Sequence, residues 1–288
     1  MTRVLSALVL LPIVIGAIWW SGPATGLLAT ITAVLAFAEY RRIAKTLGAN
    51  VPGLIGGTAV ALACLEMWRT NGASDEIING QIFILPNEVY LVFLVALIVV
   101  GAVGVARGVP GPSTLADAAA TIFAPVYIGL PLGALAAVRG DHGGMGMSSV
   151  LIWDTSGRLI LLLLLGVIVV SDSAQYYTGR AFGRRALAPT ISPKKTIEGA
   201  IGGVIFATAA MAIGGHYIFA SPIWMLALLG AVISMLGIVG DLFESLLKRS
   251  AGVKDSSNLI PGHGGVLDRI DSWLFAAPVY YIFVRFMA

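Results

Sequence analysis

Nine runs of apolar residues, each about as long as a bilayer-crossing helix, decide what this chain can fold into. A helix rises 1.5 Å per residue, so about 20 residues cross a hydrocarbon core about 30 Å thick. The runs are Val4–Trp20, Thr25–Tyr40, Val51–Trp68, Val89–Ala106, Ala118–Val138, Leu159–Tyr177, Gly199–Phe219, Pro222–Lys248 and Ile270–Phe286. In lipid only helices and closed barrels satisfy their own backbone. Continuous runs belong to helices, because barrel strands alternate in segments of about ten residues. Composition agrees, with 58% hydrophobic and 11% charged residues among 288, against about 25% charged in a soluble domain. The expected fold is all-α: a polytopic integral membrane protein of about nine transmembrane helices. It reads as a single membrane domain over residues 1–288, with five spans in 1–138 and four in 159–288.

The first run follows Arg3, and no small-x-small cleavage pattern comes after it, so it reads as a span and not as a signal peptide. Polar segments are expected at 69–88 and 139–158. Pro125 and Pro131 interrupt the fifth run, which membrane helices tolerate when neighbours re-satisfy the backbone. The eighth run, from Pro222 to Lys248, would be about 40 Å long as a helix, so its end is expected to project into water or a polar cavity. With nine spans and a cytoplasmic N-terminus, 14 of the 18 Lys and Arg residues fall on the cytoplasmic side. Only Arg69, Arg139, Arg158 and Arg285 fall on the other. The positive-inside rule therefore favours this orientation. It also accounts for the basic pI of about 9.1 without nucleic acid as a partner. Cys64 is the one cysteine, which excludes a disulfide framework or a cysteine metal site. Glu39 reads as a group at the membrane edge.

Charge concentrates between Asp241 and Asp271, where five of the 15 acidic and four of the 18 basic residues lie. Asp241, Glu244, Ser245 and Lys248 share one face of a helix by spacing. Ionisable groups at membrane depth are costly and by default mark a site. Lys254 and Asp255 follow, then the turn Pro261-Gly262-His263-Gly264-Gly265, whose glycines let backbone N–H groups approach an anion. Asp268 and Asp271 come next, one helical turn apart. Two carboxylates from different helices, with few competing soft ligands, suit a hard cation such as Mg²⁺, which is usually held by one or two carboxylates plus substrate phosphates. Lys248, Arg249, Lys254 and Arg269 would then neutralise phosphate oxygens. The competing reading is a positive-inside loop with acidic partners.

A second polar stretch covers 171–199. Ser192-Pro193-Lys194-Lys195-Thr196 precedes a helix with Glu198 in its first turn. Lysines and a hydroxyl at a helix N-terminus suit a polyphosphate. The alternative is a helix cap whose lysines mark the cytoplasmic side. Asp172 reads equally as a metal ligand, a nucleotide contact or a partner of Arg180, and Tyr176 and Tyr177 as interfacial aromatics.

The pattern Ser245-x-x-Lys248-Arg249-x4-Lys254-Asp255, followed by Pro261-Gly262-His263-Gly264-Gly265-x-x-Asp268-Arg269-x-Asp271, resembles the signature of the phosphatidate cytidylyltransferase (CDP-diacylglycerol synthase) family. Ser192–Thr196 and Gly179-Arg180-x-x-Gly183 resemble that family too. The resemblance implies transfer of the cytidylyl group of CTP to phosphatidate, giving CDP-diacylglycerol and pyrophosphate. It implies Mg²⁺, with a second cation allowed, and an active site on the cytoplasmic face of a bacterial inner membrane. Asp241 and Asp268 would bind metal. Lys248 and Arg249 would hold phosphate oxygens, with Ser245, His263 and Asp271 lining the site. Asp172, Arg180, Ser192, Lys194, Lys195, Lys254, Asp255 and Arg269 would bind substrate. Rival readings are a CTP-dependent lipid-alcohol kinase, a transporter and a structural assembly factor. Any apolar face is compatible with a homodimer.

Overall fold

The computed structural model describes residues 2–69, 76–78, 81–83, 89–107, 111–140, 150–262 and 264–286. Much of the polar segments expected at 69–88 and 139–158 lies outside them, as does His263. Each of the nine apolar runs is helical over most of its length: α1 (Thr2–Trp20), α2 (Gly22–Thr46), α3 (Gly53–Arg69), α4 (Val89–Arg107), α5 (Thr114–Ala124), α6 (Leu130–Arg139), α7 (Val150–Phe182), α8 (Ile197–His216), α9 (Ile223–Ser250) and α10 (Leu267–Phe286). A π-helical turn over Pro125–Gly129 joins α5 to α6. Pro131 has no N–H to give, and the looser turn absorbs this without ending the helix. Among the described residues, five helices are long and apolar enough to cross a membrane: Gly22–Thr46, Thr114–Arg139, Gly157–Phe182, Ile197–His216 and Ile223–Ser250.

Two antiparallel hairpins add strands to the helical expectation. One pairs β1 (Glu76–Ile78) with β2 (Gln81–Phe83). The other pairs β3 (Ala186–Ala188) with β4 (Ser192–Thr196), so the segment expected only as a basic loop is a folded hairpin. A two-stranded hairpin is marginal alone in water. This one is tied down by Glu198, which accepts hydrogen bonds from the Arg184 and Arg185 amides at 3.0 and 3.3 Å.

Large apolar side chains stand exposed along several helices, as they do in a lipid-facing surface. Exposed positions hold Leu94, Leu97 and Ile98 on α4, Ile201, Ile205 and Phe206 on α8, and Leu228 and Val239 on α9. Buried positions hold many small residues, among them Ala33, Ala36, Ala63, Ala136 and Ala207. Helices in lipid gain nothing from hiding leucine from water; they gain by close packing through small residues. This is an integral membrane protein.

The chain divides into two compact units, one of residues 1–157 with 257–266, the other of 158–256 with 267–288. In the first, α3 packs on α2 and α6. Arg139 ends α6 fully buried, its Nε donating to the Ile18 carbonyl at 2.7 Å. Expected as a loop charge, it instead satisfies one of the carbonyls that the end of α1 leaves without a helical partner. In the second unit α9 packs between α8 and α10. The Ser171 and Ser234 hydroxyls bond at 2.7 Å across α7 and α9, and the Tyr280 hydroxyl donates to the Ile160 carbonyl at 2.8 Å.

The α8–α9 contact depends on Gly230, where a Cβ would sit 2.6 Å from the Ala207 carbonyl oxygen and 2.7 Å from Met211 Cβ. Backbone cannot yield there, so Gly230→Leu should destabilise the protein by about 1–3 kcal/mol, the usual cost of overpacking. Thermal unfolding in detergent checks this; an unchanged midpoint would show that the two helices separate freely.

Candidate active site

A cavity of about 550 Å³ opens in the second unit, within the size range of small-molecule sites. It is lined from α7, the β3–β4 hairpin, α8, α9 and α10. Four aspartates face it, Asp172, Asp241, Asp268 and Asp271, with four cationic side chains, Arg180, Lys194, Lys195 and Arg269. Depth separates the roles. Asp271 and Ser272 are buried, Asp241 and Lys195 half-buried, and Arg180, Lys194 and Arg269 exposed. The cavity has an acidic floor and a mainly cationic rim.

The floor is made by a close helix crossing. A Cβ on Gly240 would lie 2.5 Å from the Asp271 carbonyl oxygen, so only glycine lets α9 approach α10 at that point. Asp241 is the next residue, and its carboxyl group lies within hydrogen-bonding reach of Asp271. Two carboxylates this close repel one another, which favours a cation beside them. Lys195, delivered by β4, ion-pairs with Asp241 and is also an electrostatic neighbour of Asp172 and Asp271. The Asp172 carboxylate accepts from Gln175 Nε2 at 3.1 Å, one turn along α7. Arg180 instead meets the Tyr176 hydroxyl at 3.4 Å, so the alternative of an Asp172–Arg180 pair does not form.

Asp268 is held differently. One carboxylate oxygen meets Lys248 Nζ at 2.5 Å. The other accepts from the Ser256 amide at 2.9 Å and the Ser256 hydroxyl at 2.8 Å. Lys248 is shared with Glu244, one turn back on α9 and fully buried. Glu244, Lys248 and Asp268 thus form a triad running from the cavity lining at Asp268 to the buried Glu244, and Lys248 faces its carboxylate partners. Arg249 points elsewhere, to the Val253 carbonyl at 3.3 Å and to the Ile191 carbonyl in the β3–β4 turn at 3.5 Å. Ser192 sits in β4 opposite Ala188, Ser245 is half-buried on α9, and Lys254 and Asp255 are exposed; none of these lines the cavity.

The donor set suits a hard cation. Every candidate ligand is a carboxylate oxygen, and the Asp241–Asp271 pair is a place where positive charge relieves repulsion. Among the described residues no group of three or more His, Cys, Asp or Glu side chains is arranged to hold a metal unaided. Such a set is compatible with Mg²⁺, which is usually held by one or two carboxylates plus substrate phosphates.

The sequence profile of the Cytidylyltransferase family matches residues 1–287. The chain belongs to this family. Over 130 residues it is 45% identical to the uncharacterized protein YnbB of Escherichia coli (strain K12), covering 45% of this chain and 44% of that one. Over 131 residues it is 46% identical to a phosphatidate cytidylyltransferase of Synechocystis sp., covering 45% and 44%. The chain thus matches less than half the length of each of these two relatives. A phosphatidate cytidylyltransferase of Staphylococcus haemolyticus is 30% identical over 283 residues, covering 98% of this chain and 96% of that one.

Gln175 of this cytidylyltransferase family member went unassigned in the sequence, and Thr196 was read only within the Ser192–Thr196 run; both line the cavity. Gln175 orients Asp172, and its signal was the i, i+3 spacing. Thr196 lines the cavity and caps α8, its hydroxyl accepting from the Gly199 amide at 3.1 Å. Removing Lys248 should expose the cost of the triad. Lys248→Met leaves Glu244 and Asp268 without their cation and should destabilise the protein by about 3–5 kcal/mol. Adding Glu244→Leu should recover most of that loss. Thermal unfolding of both variants checks this, and a double variant no more stable than the single would contradict the pairing.

Proposed function

We propose that this protein transfers the cytidylyl group of CTP to phosphatidate, releasing pyrophosphate. The observation that carries the reading is the joining of acidic floor and cationic rim in one cavity of a membrane-embedded helical unit. The named activities of the full-length and partial relatives agree with it. In this reading a phosphate oxygen of the lipid forms a bond to the α-phosphorus of CTP, and the bond from that phosphorus to the bridging oxygen of pyrophosphate breaks. The lipid phosphate is already anionic at neutral pH, so no protein base is required. Reactions of this type depend mainly on positioning and charge neutralisation. Lys194, Arg180 and Arg269 on the rim would hold the triphosphate, and Lys195 would follow the charge from Asp241 to the leaving pyrophosphate.

Mg²⁺, when bound, would neutralise phosphate oxygens between the protein and the nucleotide. Asp241 and Asp271 are the residues that would hold it, and Asp268 would join them if its ties to Lys248 and Ser256 loosened, which leaves room for a second cation. The same reading takes all nine helical segments as spans, the N-terminus as cytoplasmic, and the cavity as open to the cytoplasmic face of a bacterial inner membrane. Fourteen of 18 basic residues on that side support it.

Purified protein given radiolabelled CTP, phosphatidate and Mg²⁺ should form CDP-lipid and pyrophosphate, and chelation of the metal should stop it. Asp241→Asn and Asp271→Asn should each lower turnover about 100- to 1,000-fold in folded protein, the scale expected when a charge-stabilising group is lost. Full activity in either variant would remove that residue from the metal site. Formation of CDP and a phosphorylated lipid alcohol would replace the reading with a kinase.

A further inference from the structure

Glu39 lies on α2, far in sequence from the charged C-terminal stretch, and is only 2% exposed. A buried carboxylate in an apolar helix is costly unless its oxygens are bonded. One Glu39 oxygen takes two hydrogen bonds, from the Ser257 hydroxyl at 2.5 Å and from the Val266 amide at 3.0 Å. Ser257 and Val266 are the first and last residues of the loop that belongs with the N-terminal unit. A single carboxylate therefore closes this loop at both ends. Inside it the Ile260 amide donates to the Gly264 carbonyl at 2.9 Å. Gly262 and Gly264 take φ of 77° and 84°, which side chains with a Cβ rarely adopt. The Ser6 hydroxyl adds a tie to the Pro261 carbonyl at 3.2 Å.

The residues just outside the clamp matter to the site. Ser257 follows Ser256, which gives both its amide and its hydroxyl to Asp268. Val266 precedes Leu267, the first residue of α10, and Asp268 comes next. We propose that Glu39 is a positioning residue for the reaction: its carboxylate fixes both ends of the 257–266 loop and, through the adjoining peptide bonds, holds Ser256 and Asp268 in register. This rests on the cytidylyl-transfer reading. It gives the N-terminal helices a part in the chemistry beyond anchoring the chain.

The test uses full-length protein and two readouts, CTP turnover and hydrogen–deuterium exchange of the segment 257–267. Outer-shell partners of this kind typically matter 10- to 100-fold. Glu39→Ala should lower kcat by about that factor while KM for CTP shifts less than about threefold, and the segment should exchange faster. Glu39→Gln keeps a carbonyl acceptor and should recover most of both properties. Ser257→Ala removes one of the two bonds and should fall between. A kcat in Glu39→Ala within about twofold of wild type overturns the proposal. So does a lower melting point with unchanged kcat per folded molecule, or unchanged exchange in the loop. If Glu39→Ala does not fold, Ser257→Ala decides on the same criteria. Wild-type protein without CTP turnover would refute the reaction and with it the positioning role. Exchange would then still report whether the clamp exists.

Discussion

The approach of α9 to α10 at Gly240 is the contact on which the site depends. It sets the Asp241 and Asp271 carboxyl groups against each other where the charged ends of two largely apolar helices meet. Everything nearby answers that concentration of negative charge. Lys195 arrives on a hairpin strand, Lys248 neutralises Glu244 and Asp268, and Ser256 gives two hydrogen bonds to Asp268. A bundle of leucine and alanine helices would pack more easily without these groups. Their presence is what the proposed reaction between a water-soluble polyphosphate and a lipid phosphate would require.

The hairpin β3–β4 has a comparable part on the other wall. It is too short to be stable alone, yet it carries Lys194 and Lys195. Its stability is borrowed: Glu198 binds the amides before it, Thr196 caps the following helix, and Arg249 reaches its turn. The exposed Arg249 therefore contributes through the hairpin in this arrangement, and the rim cations are displayed on a braced element and not on a loose loop.

Much of this was legible in the sequence, for physical reasons. Continuous apolar runs fix helices because lipid leaves the backbone no other partner, and each of the nine runs is helical over most of its length. The i, i+3, i+7 spacing of Asp241, Glu244 and Lys248 placed them on one face, and the family signature pointed to Asp268 and Asp271. Pairings across the fold were not legible. The resemblance paired Asp241 with Asp268 on a metal; in the structure both line the cavity, Asp241 beside Asp271 and Asp268 bonded to Lys248 and Ser256. The hairpin was hidden because its two short strands carry no alternating pattern. Glu39 and Arg139 looked like edge charges because sequence records neither burial nor a partner more than 100 residues away.

The central proposal is that Asp241 and Asp271 would hold a divalent cation together with the nucleotide's phosphates. Electron paramagnetic resonance of Mn²⁺ substituted for Mg²⁺, with a non-hydrolysable CTP analogue, tests this directly. The account predicts a bound Mn²⁺ signal with coupling to phosphorus that appears only with nucleotide and is lost in Asp241→Asn. Phosphorus-coupled Mn²⁺ of equal intensity in the wild type and in Asp241→Asn would contradict it.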